Sequence, residues 1–463
     1  MLLTTASTPL DLPGIRRTSD LPTLAARRLL GFFATLIMIC ALDFKAESSG
    51  AAALIQGFTY LVYLISLTVI LSAAARYHIR VGSLIVLIIA ILLFVTESSL
   101  VGLYDNQVPY FIFTNWLGPF IYATAALATF VVLQATRENL ALFLSIVRAA
   151  CLFFAMFHFF VVLWVRGGID FSVSRFEWLN AAVIPSLGLM AVAIVCRLRK
   201  SEIVILMLQL IFTMISVTRT LLVVMAAQIA IVFVARPSLL TGRAPLRAII
   251  ILCLSAVTLL GIDTLAGTGL TSRWVDRMTV SERFGYDPTA LTRNAETEYM
   301  LQAFGASTGS VLFGNGLGAY TRLVGRDAII VGEAMGYGVV NFGDVGIGHE
   351  NHVSILFVAG ILGGGGLLLV QILNAFQGIM LIRTLTDTAT AYDNDLVRIG
   401  VWGAIIVVGV FTVGFLGGTI NDRPMCLWYG IGTGMLYWAR ATAKSAQGSA
   451  AEGSRRNNLQ PVS

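Results

Sequence analysis

The sequence predicts an all-α polytopic membrane protein with about twelve transmembrane helices and one long external loop between the ninth and tenth spans. One observation is the composition, since 57% of the 463 residues are apolar, 12% are charged and the mean hydropathy is +0.84. Another is the repetition of apolar runs of about 17–25 residues, the length of a helix that crosses a bilayer. The third is the sidedness of the basic residues between these runs.

The predicted spans are bounded by the polar residues between the apolar runs. They cover residues 27–43, 53–75, 80–97, 116–135, 139–165, 179–196, 201–216, 220–235, 247–263, 352–382, 398–420 and 424–440. The external loop, 264–351, divides the spans of 27–263 from those of 352–440. The polar ends, 1–26 and 441–463, are predicted to be disordered cytoplasmic tails.

The basic residues place both ends of the chain on one side of the membrane. Short connections on the side of the termini are rich in cations, as at Arg197 and Arg199, whereas those on the other side carry few, such as Lys45 and Arg166. Because basic residues accumulate in cytoplasmic loops, both termini are predicted to be cytoplasmic and the long loop external. This sidedness explains the net charge of +6, so we expect membrane lipids and no nucleic acid as partners.

The apolar run 201–235 is too long for one span, and polar residues interrupt it at Thr218 and Arg219. Two short spans that meet at the outer surface fit the length of the run and keep Lys200 and Arg236 on the cytoplasmic side. Arg219 would then lie at the tip of a tight helical hairpin at the outer membrane surface. An ionisable side chain at that position is a candidate functional group.

The external loop contains a predicted helix and a glycine-rich turn. Residues 295–305 carry one apolar stripe at helical spacing, which predicts an amphipathic helix. Gly314, Gly316 and Gly318 follow, and since no strand–turn–helix pattern surrounds them, they predict a tight turn packed against the membrane domain rather than a dinucleotide-binding loop. The Gly-rich segment 325–348 is predicted to be a mobile flap over a site.

The stretch Gly346–Gly366 begins polar and ends apolar, at the start of the tenth predicted span. His349, Glu350 and His352 lie at this junction, and ionisable side chains there predict a functional site at the membrane surface. The two histidines are three residues apart and share one face if the helix has already begun. Asp422, between the last two spans, is a further candidate for substrate binding at the outer face.

Several motifs follow one another in order along the chain. They are the polar break Ser216-Val-Thr-Arg219, Arg293 ahead of the amphipathic helix, the turn Gly314-Asn-Gly-Leu-Gly318, and His349-Glu350 followed after nine residues by Gly360 and then Gly363. In order and spacing they resemble the motifs of the O-antigen ligase and O-antigen polymerase superfamily, over residues 203 to about 382. Glu350 departs from that pattern, because the family usually has an amide or hydroxyl residue there. The spacing to Gly363 also fits His352, so either histidine could correspond to the histidine of the family motif.

The resemblance implies a glycosyltransferase in the inner membrane of a bacterium, with an active site that faces the periplasm. Its donor would be a glycan linked to undecaprenyl pyrophosphate, and its acceptor another glycan or lipid A-core. Polymerisation of O-antigen or exopolysaccharide units is favoured, and ligation of the finished glycan to lipid A-core is the alternative. No cofactor is implied.

A reaction of this kind needs a base that accepts the proton of the acceptor hydroxyl. Histidine, with an ordinary pKa of about 6.5, suits this task. His349 is favoured over His352, because the better apolar helix follows it. Glu350 would orient the imidazole or bind hydroxyl groups of the acceptor.

The anionic pyrophosphate needs positive charge around it. The external loop has no carboxylate cluster with metal-ligand spacing, and the five cysteines all lie in apolar runs, so we expect a metal-independent reaction. Guanidinium groups bind phosphate through paired hydrogen bonds and stay charged. The candidates for this role are Arg219, Arg283 and Arg293.

Two other classes of membrane protein remain open from the sequence. A transporter or flippase of lipid-linked sugars would carry buried charges in mid-membrane and a repeated architecture, whereas the sequence has few such charges and no visible repeat. A peptidoglycan polymerase of the shape–elongation–division type would depend on an aspartate of the loop rather than on a histidine.

Overall fold

The computed structural model describes residues 23–42, 50–79, 81–166, 180–241, 267–334, 344–345, 350–386, 394–418 and 422–457, and scattered positions between 246 and 265. In these residues the chain is almost entirely helical. Among the described residues, seven helical stretches are long and apolar enough to cross a membrane. The prediction of a helical membrane protein with several spans is therefore confirmed.

The helices are numbered in chain order. Residues 264–351 are called the external loop after the side on which they are predicted to lie. The helices before it are α1 (Thr23–Ile39), α2 (Gly50–Arg76), α3 (Leu84–Tyr104), α4 (Pro109–Ala135), α5 (Leu140–Arg166), α6 (Val183–Val195), α7 (Lys200–Ser216) and α8 (Arg219–Ala235). The loop contains α9 (Leu270–Met278), α10 (Val280–Phe284), α11 (Pro288–Phe304), α12 (Thr308–Phe313) and α13 (Gly325–Ala334), with an antiparallel pair of short strands, β1 (Tyr320–Thr321) and β2 (Asp344–Val345). After the loop come α14 (Asn351–Ala359), a π-helical turn (Gly360–Gly365), α15 (Gly366–Thr386), α16 (Asp395–Val413) and α17 (Arg423–Asn457).

The predicted number of spans is not tested where helices are short or where residues fall outside those described. α6 has 13 residues and α8 has 17. At about 1.5 Å per residue, both are shorter than a hydrocarbon core of about 30 Å. Most of the ninth predicted span, 247–263, lies outside the described residues. The count of twelve spans therefore stays a prediction.

Two helices extend into the segments predicted to be disordered tails. α1 begins at Thr23, within the predicted tail 1–26, and α17 continues to Asn457, well into the predicted tail 441–463. The residues after 440 include many good helix formers, such as Ala, Lys, Gln and Arg. They prolong α17 because adding a residue to an existing helix gains a hydrogen bond without a new nucleation step.

The centre of the bundle is formed by α4, α16 and α17. In the span of α16, 83% of the residues are buried, against 28% in the span of α2, which therefore lies at the periphery. Glycines permit the close approach, since Gly430 and Gly434 of α17 face the backbone of α4, and Gly432 faces Gly403 of α16. Lipid tails are as apolar as the side chains, so the hydrophobic effect does not hold helices together within a membrane. Small residues stabilise the helix pairs instead, because they let the backbones approach closely and pack well.

A buried ion-pair network joins α5, α7 and α16. Glu202 of α7 is fully buried and accepts hydrogen bonds from Arg148 of α5 at 3.2 Å and from Arg398 of α16 at 2.5 Å. Arg398 also donates to the carbonyl of Arg197 at 2.7 Å. Because a buried charge is costly unless it is paired, removal of one member would leave the others uncompensated. The network therefore holds the three helices in one arrangement.

The first part of the external loop packs on the end of α7. Trp274 of α9 is buried and donates from Nε1 to the carbonyl of Met214 at 2.8 Å. Leu270 and Trp274 also join Phe212 and Val217 in a small apolar cluster. The carbonyl of Met214 also accepts from the Val217 N–H at 3.3 Å, so the indole adds a second hydrogen bond at the end of α7. α9 is thereby held at the break between α7 and α8.

The glycine-rich turn packs against backbone. Gly316 has a φ of 88°, and a Cβ there would lie 2.7 Å from the backbone of Gly102 in α3. The N–H of Gly316 donates to the carbonyl of Val358 at 3.0 Å, and the N–H of Leu317 donates to that of Ser98 at 3.0 Å. The prediction of a tight turn packed against the membrane domain is confirmed.

The same turn covers a break in the span formed by α14 and α15. Gly360 has a φ of 59°, and a Cβ there would lie 2.2 Å from the carbonyl oxygen of Leu312. The carbonyl of Phe357 accepts from the N–H of Asn315 at 2.8 Å and from its side-chain amide at 3.1 Å. The predicted span 352–382 is therefore two helices joined by a π-helical turn. The loop supplies hydrogen bonds that a continuous helix would make internally.

Candidate functional site

The break between α7 and α8 sets the position of Arg219. Val217 is buried and left-handed, with φ 49° and ψ 46°, a conformation that β-branched residues rarely adopt. The Thr218 hydroxyl donates to the carbonyl of Ser216 at 3.2 Å, and α8 then begins at Arg219. The predicted interruption of the run 201–235 is confirmed.

The two helices at this break do not form the expected tight hairpin. α7 packs on α5 and α6, whereas α8 packs on α6, α15 and α16. The left-handed Val217 turns the chain, and α6 then packs against both helices. The break is therefore an open bend, whose end is covered by α9 of the external loop.

Arg219 is paired with Asp287, which caps the longest helix of the loop. The Asp287 Oδ1 accepts from the Thr289 N–H at 3.0 Å, and Pro288 begins α11. The other oxygen, Oδ2, accepts from Nη2 of Arg219. Burial alone would raise the pKa of the Asp287 carboxyl, but the hydrogen bonds from Arg219 and the Thr289 N–H outweigh it and hold that pKa below its ordinary value. Asp287 is therefore ionised at neutral pH.

Two more arginines lie beside this pair. Arg277 of α9 donates from Nη2 to the Thr289 hydroxyl at 2.8 Å, and its Nε is buried with no hydrogen-bond partner among the described residues. Arg293 of α11 is within electrostatic range of Asp287, Arg219 and Arg277. Burial is the main cause that lowers the pKa of Arg277 and of Arg293, and the neighbouring guanidinium charges lower it further. We call Arg219, Arg277 and Arg293 the arginine cluster.

Among the described residues, the three guanidiniums of the arginine cluster are within electrostatic range of the Asp287 carboxylate. Arg219 is hydrogen-bonded to Asp287, and Arg277 is hydrogen-bonded to Thr289, two residues further on. The other carboxylate in range, that of Glu296, is buried and accepts from the Thr321 hydroxyl at 3.0 Å. The Arg219 side chain is 31% exposed, so an external anion can reach it. Three neighbouring guanidiniums, one of which has a buried donor with no partner in the described part of the chain, are suited to binding an anion.

Glu350 is joined to the helix that carries Arg293. The Oε2 of Glu350 accepts from the Thr297 hydroxyl at 2.8 Å. Thr297 follows Arg293 by four residues, so the two side chains project from the same face of α11. α11 begins at Pro288, earlier than the helix predicted for 295–305, because Asp287 caps it. α11 therefore carries Asp287, the partner of Arg219, at its N-cap. It also carries Arg293 and Thr297, and Thr297 contacts Glu350.

The imidazole of His352 is packed between α14 and the end of α16. Its ring centroid lies 4.7 Å from that of Phe411 and 4.3 Å from that of Phe415. With the proton on Nε2, the ring donates to the Phe411 carbonyl at 3.1 Å. The other nitrogen, Nδ1, is buried and has no hydrogen-bond partner within the part of the chain described. A base must reach the acceptor hydroxyl, so this buried nitrogen favours a packing role for His352.

The remaining predicted site residues do not join the arginine cluster in the described contacts. His349 and the side chain of Arg283 lie outside the residues that the structure describes. Asp422 stands at the start of α17, where its Oδ1 accepts from the Met425 N–H at 3.0 Å. This contact explains Asp422 as a helix cap, and its role in substrate binding stays a prediction.

Sequence reasoning missed Arg277 and Asp287. Both lie in a stretch of the loop that is rich in charged residues, where neither stands out by type. A local signal existed for Asp287, because Asp followed by Pro288 ahead of an apolar stripe predicts a helix N-cap and its first residue. For Arg277, only the docking of α9 through Trp274 reveals the position.

Comparison with known proteins adds no relative. A scan against models of protein families finds no match, and a search of curated proteins finds no similar sequence. Among the described residues, no group of three or more His, Cys, Asp or Glu side chains could hold a metal ion. The function is therefore inferred from the chemistry of the arginine cluster and from the order of the motifs along the chain.

Proposed function

We propose that this protein is a glycosyltransferase of the bacterial inner membrane that polymerises glycan units from an undecaprenyl-pyrophosphate donor at the periplasmic face. The observation that carries the proposal is the arginine cluster around Asp287, with a buried Arg277 Nε that has no partner among the described residues. The predicted topology is part of the proposal, with about twelve spans, cytoplasmic termini and the loop 264–351 in the periplasm.

The arginine cluster supports a pyrophosphate ligand in particular. A pyrophosphate presents several oxygens over two phosphorus atoms, so it can accept from more than one guanidinium at once. Arg219 comes from the break between two short apolar helices, whereas Arg277 and Arg293 come from the external loop. The cluster thus joins a group near the membrane surface to groups above it, which is where the headgroup of a polyprenyl lipid would lie.

The transfer needs one bond to form and one to break. The oxygen of an acceptor hydroxyl attacks the anomeric carbon of the donor sugar, and the bond from that carbon to the pyrophosphate oxygen breaks. Polyprenyl pyrophosphate leaves with the electron pair, and the arginine cluster stabilises the developing negative charge. The proton of the hydroxyl passes to His349, the residue that precedes Glu350 in the chain.

The break between α14 and α15 does not require a transport function. In many transporters, unwound backbone in mid-membrane leaves carbonyls open to an ion or substrate. Here the carbonyls of Phe357 and Val358 accept from Asn315 and Gly316 of the loop. The break therefore fastens the external loop to the membrane helices, which supports a fixed site at the surface.

The proposal is tested with purified protein and a defined undecaprenyl-pyrophosphate oligosaccharide, with and without lipid A-core. A polymerase forms a ladder of products from the donor alone, whereas a ligase requires lipid A-core. We expect Arg277→Ala and Arg293→Ala to lower the transfer rate about 10²–10³-fold, the usual effect of removing one donor aimed at developing charge. Turnover should persist in EDTA.

The matched control is Arg322→Ala, which removes an exposed arginine of the same loop. It should leave the rate unchanged. If the purified protein forms no product with either acceptor, or if Arg277→Ala and Arg293→Ala remain as active as Arg322→Ala, the proposed function is wrong. Loss of activity in EDTA with rescue by Mg²⁺ would exclude a site that works through arginines alone.

A further inference from the structure

We propose that Asp287 is a built-in counter-anion of the arginine cluster, which occupies Arg219 when no diphosphate is bound and competes with the diphosphate for it. The inference rests on the proposed function, because it assigns a regulatory group to the same anion site. Its physical basis is that one carboxylate oxygen holds the guanidinium that a diphosphate would need.

The two oxygens of Asp287 have separate tasks. Oδ1 accepts from the Thr289 N–H and caps α11, while Oδ2 accepts from Arg219. A competing anion therefore has to displace only the contact of Oδ2. The cap can remain in place, so the exchange does not require α11 to unfold.

The charges around Asp287 favour such an exchange. Arg277 and Arg293 lie within electrostatic range of Asp287 but are not hydrogen-bonded to it in the described contacts. A diphosphate with at least two negative charges can accept from Arg219 and from these two at the same time, which a single carboxylate oxygen cannot do. Only Nη2 of Arg219 donates to Asp287 in the described contacts, and the Arg219 side chain remains 31% exposed.

The counter-anion has its largest effect after the transfer. In the donor, the pyrophosphate is esterified at both ends, whereas the leaving polyprenyl pyrophosphate has one free end and thus one more ionisable oxygen. The product is therefore held more strongly by the cations than the donor is. Asp287, ionised and adjacent, returns to Arg219 and shortens the time for which the product stays bound.

The test uses Asp287→Asn, which removes the charge but keeps a good N-cap side chain. Binding of inorganic pyrophosphate to the full-length purified protein is measured by calorimetry. We expect Asp287→Asn to bind pyrophosphate at least about 10-fold more tightly than the wild type. Steady-state turnover should fall while the first turnover keeps its rate, because product release becomes slower.

Two further variants separate a specific contact from a general change of charge. Glu282→Gln removes an exposed carboxylate of the same loop and should shift the affinity for pyrophosphate less than about 2-fold, because exposed charges are screened by salt. In an Arg219→Ala background, Asp287→Asn should change the affinity much less than it does alone, as coupled residues do in a double-mutant cycle.

The outcomes distinguish the two proposals. If the wild type binds pyrophosphate and Asp287→Asn binds it equally or less tightly, the counter-anion is excluded and the anion site stands. If the effect of Asp287→Asn is as large without Arg219, Asp287 acts through the general field and the specific exchange is wrong. If neither the wild type nor Asp287→Asn binds pyrophosphate, the anion site of the proposed function fails, and the counter-anion fails with it.

Discussion

At the scale of single residues, the two histidines of the junction have different surroundings. The ring of His352 is held by Phe411 and Phe415 and by a hydrogen bond to the Phe411 carbonyl. His349 lies outside the described residues, but it precedes Glu350, which contacts α11 through Thr297. The packing contacts of His352 and the position of His349 next to Glu350 favour His349 as the base.

Alanine variants of the two histidines test this assignment. His349→Ala should lower turnover about 10²–10⁴-fold, the usual contribution of a general base, and leave binding of the donor unchanged. His352→Ala should instead lower the melting temperature, because it leaves a cavity beside the two phenylalanines. Turnover and thermal unfolding are measured on the same preparations. If His352→Ala is inactive at normal stability while His349→Ala remains active, His352 is the base.

At the scale of elements, the glycine-rich turn is one of the contacts that fix the external loop to the bundle. Gly316 meets the backbone of Gly102 in α3, and the turn also covers the break after α14. Both α11 and Glu350 belong to segments that adjoin this contact. The geometry of the site therefore depends on residues that do not touch a substrate.

The stabilities of Gly316→Ala and Gly285→Ala, compared with each other, test how tightly the turn is packed. Both glycines have a positive φ, of 88° and 78°, so alanine costs roughly 1–2 kcal/mol of backbone strain at either position. Only at Gly316 would the new Cβ also meet backbone, at 2.7 Å, whereas nothing lies within 4 Å at Gly285. We expect Gly316→Ala to lose about 1–3 kcal/mol more stability than Gly285→Ala in detergent. Equal losses would mean that the turn is not tightly packed.

At the scale of the whole molecule, the orientation in the membrane decides which side the arginine cluster faces. The sidedness of basic residues predicts cytoplasmic termini and an external loop. The central helices α4, α16 and α17 and the ion pairs of Glu202 make the bundle one body. An experiment that locates one loop on the cytoplasmic or the periplasmic side of the membrane therefore also locates the arginine cluster.

Cysteine labelling on intact spheroplasts tests the orientation. Ala290→Cys lies at an exposed position of α11, and Ala450→Cys lies near the C-terminus. Four native cysteines are buried, and Cys253, which is exposed, is replaced in the background. We expect an impermeant thiol reagent to label position 290 in intact spheroplasts and position 450 only after lysis. The reverse pattern would place the arginine cluster in the cytoplasm.

Local patterns in the sequence determined much of the fold. Long apolar runs predict helices in a membrane because the backbone must satisfy its hydrogen bonds internally there. The polar break at Thr218 and the glycines of the turn were also readable, since each marks a local backbone requirement that a regular helix cannot meet. Arg219 was a site candidate because it stands at this break, whereas Arg293 was one because the family resemblance places an arginine ahead of the amphipathic helix.

The tertiary structure alone decided which residues meet. Asp287 and Arg277 lie far from Arg219 in the chain, and they reach it only because Trp274 docks α9 on the end of α7. The packing of His352 depends on Phe411, near the end of α16, and on Phe415, just beyond that end. The break at Gly360 depends on hydrogen bonds from the external loop. Such contacts arise from the packing of distant segments, and no local pattern of hydrophobicity or spacing records them.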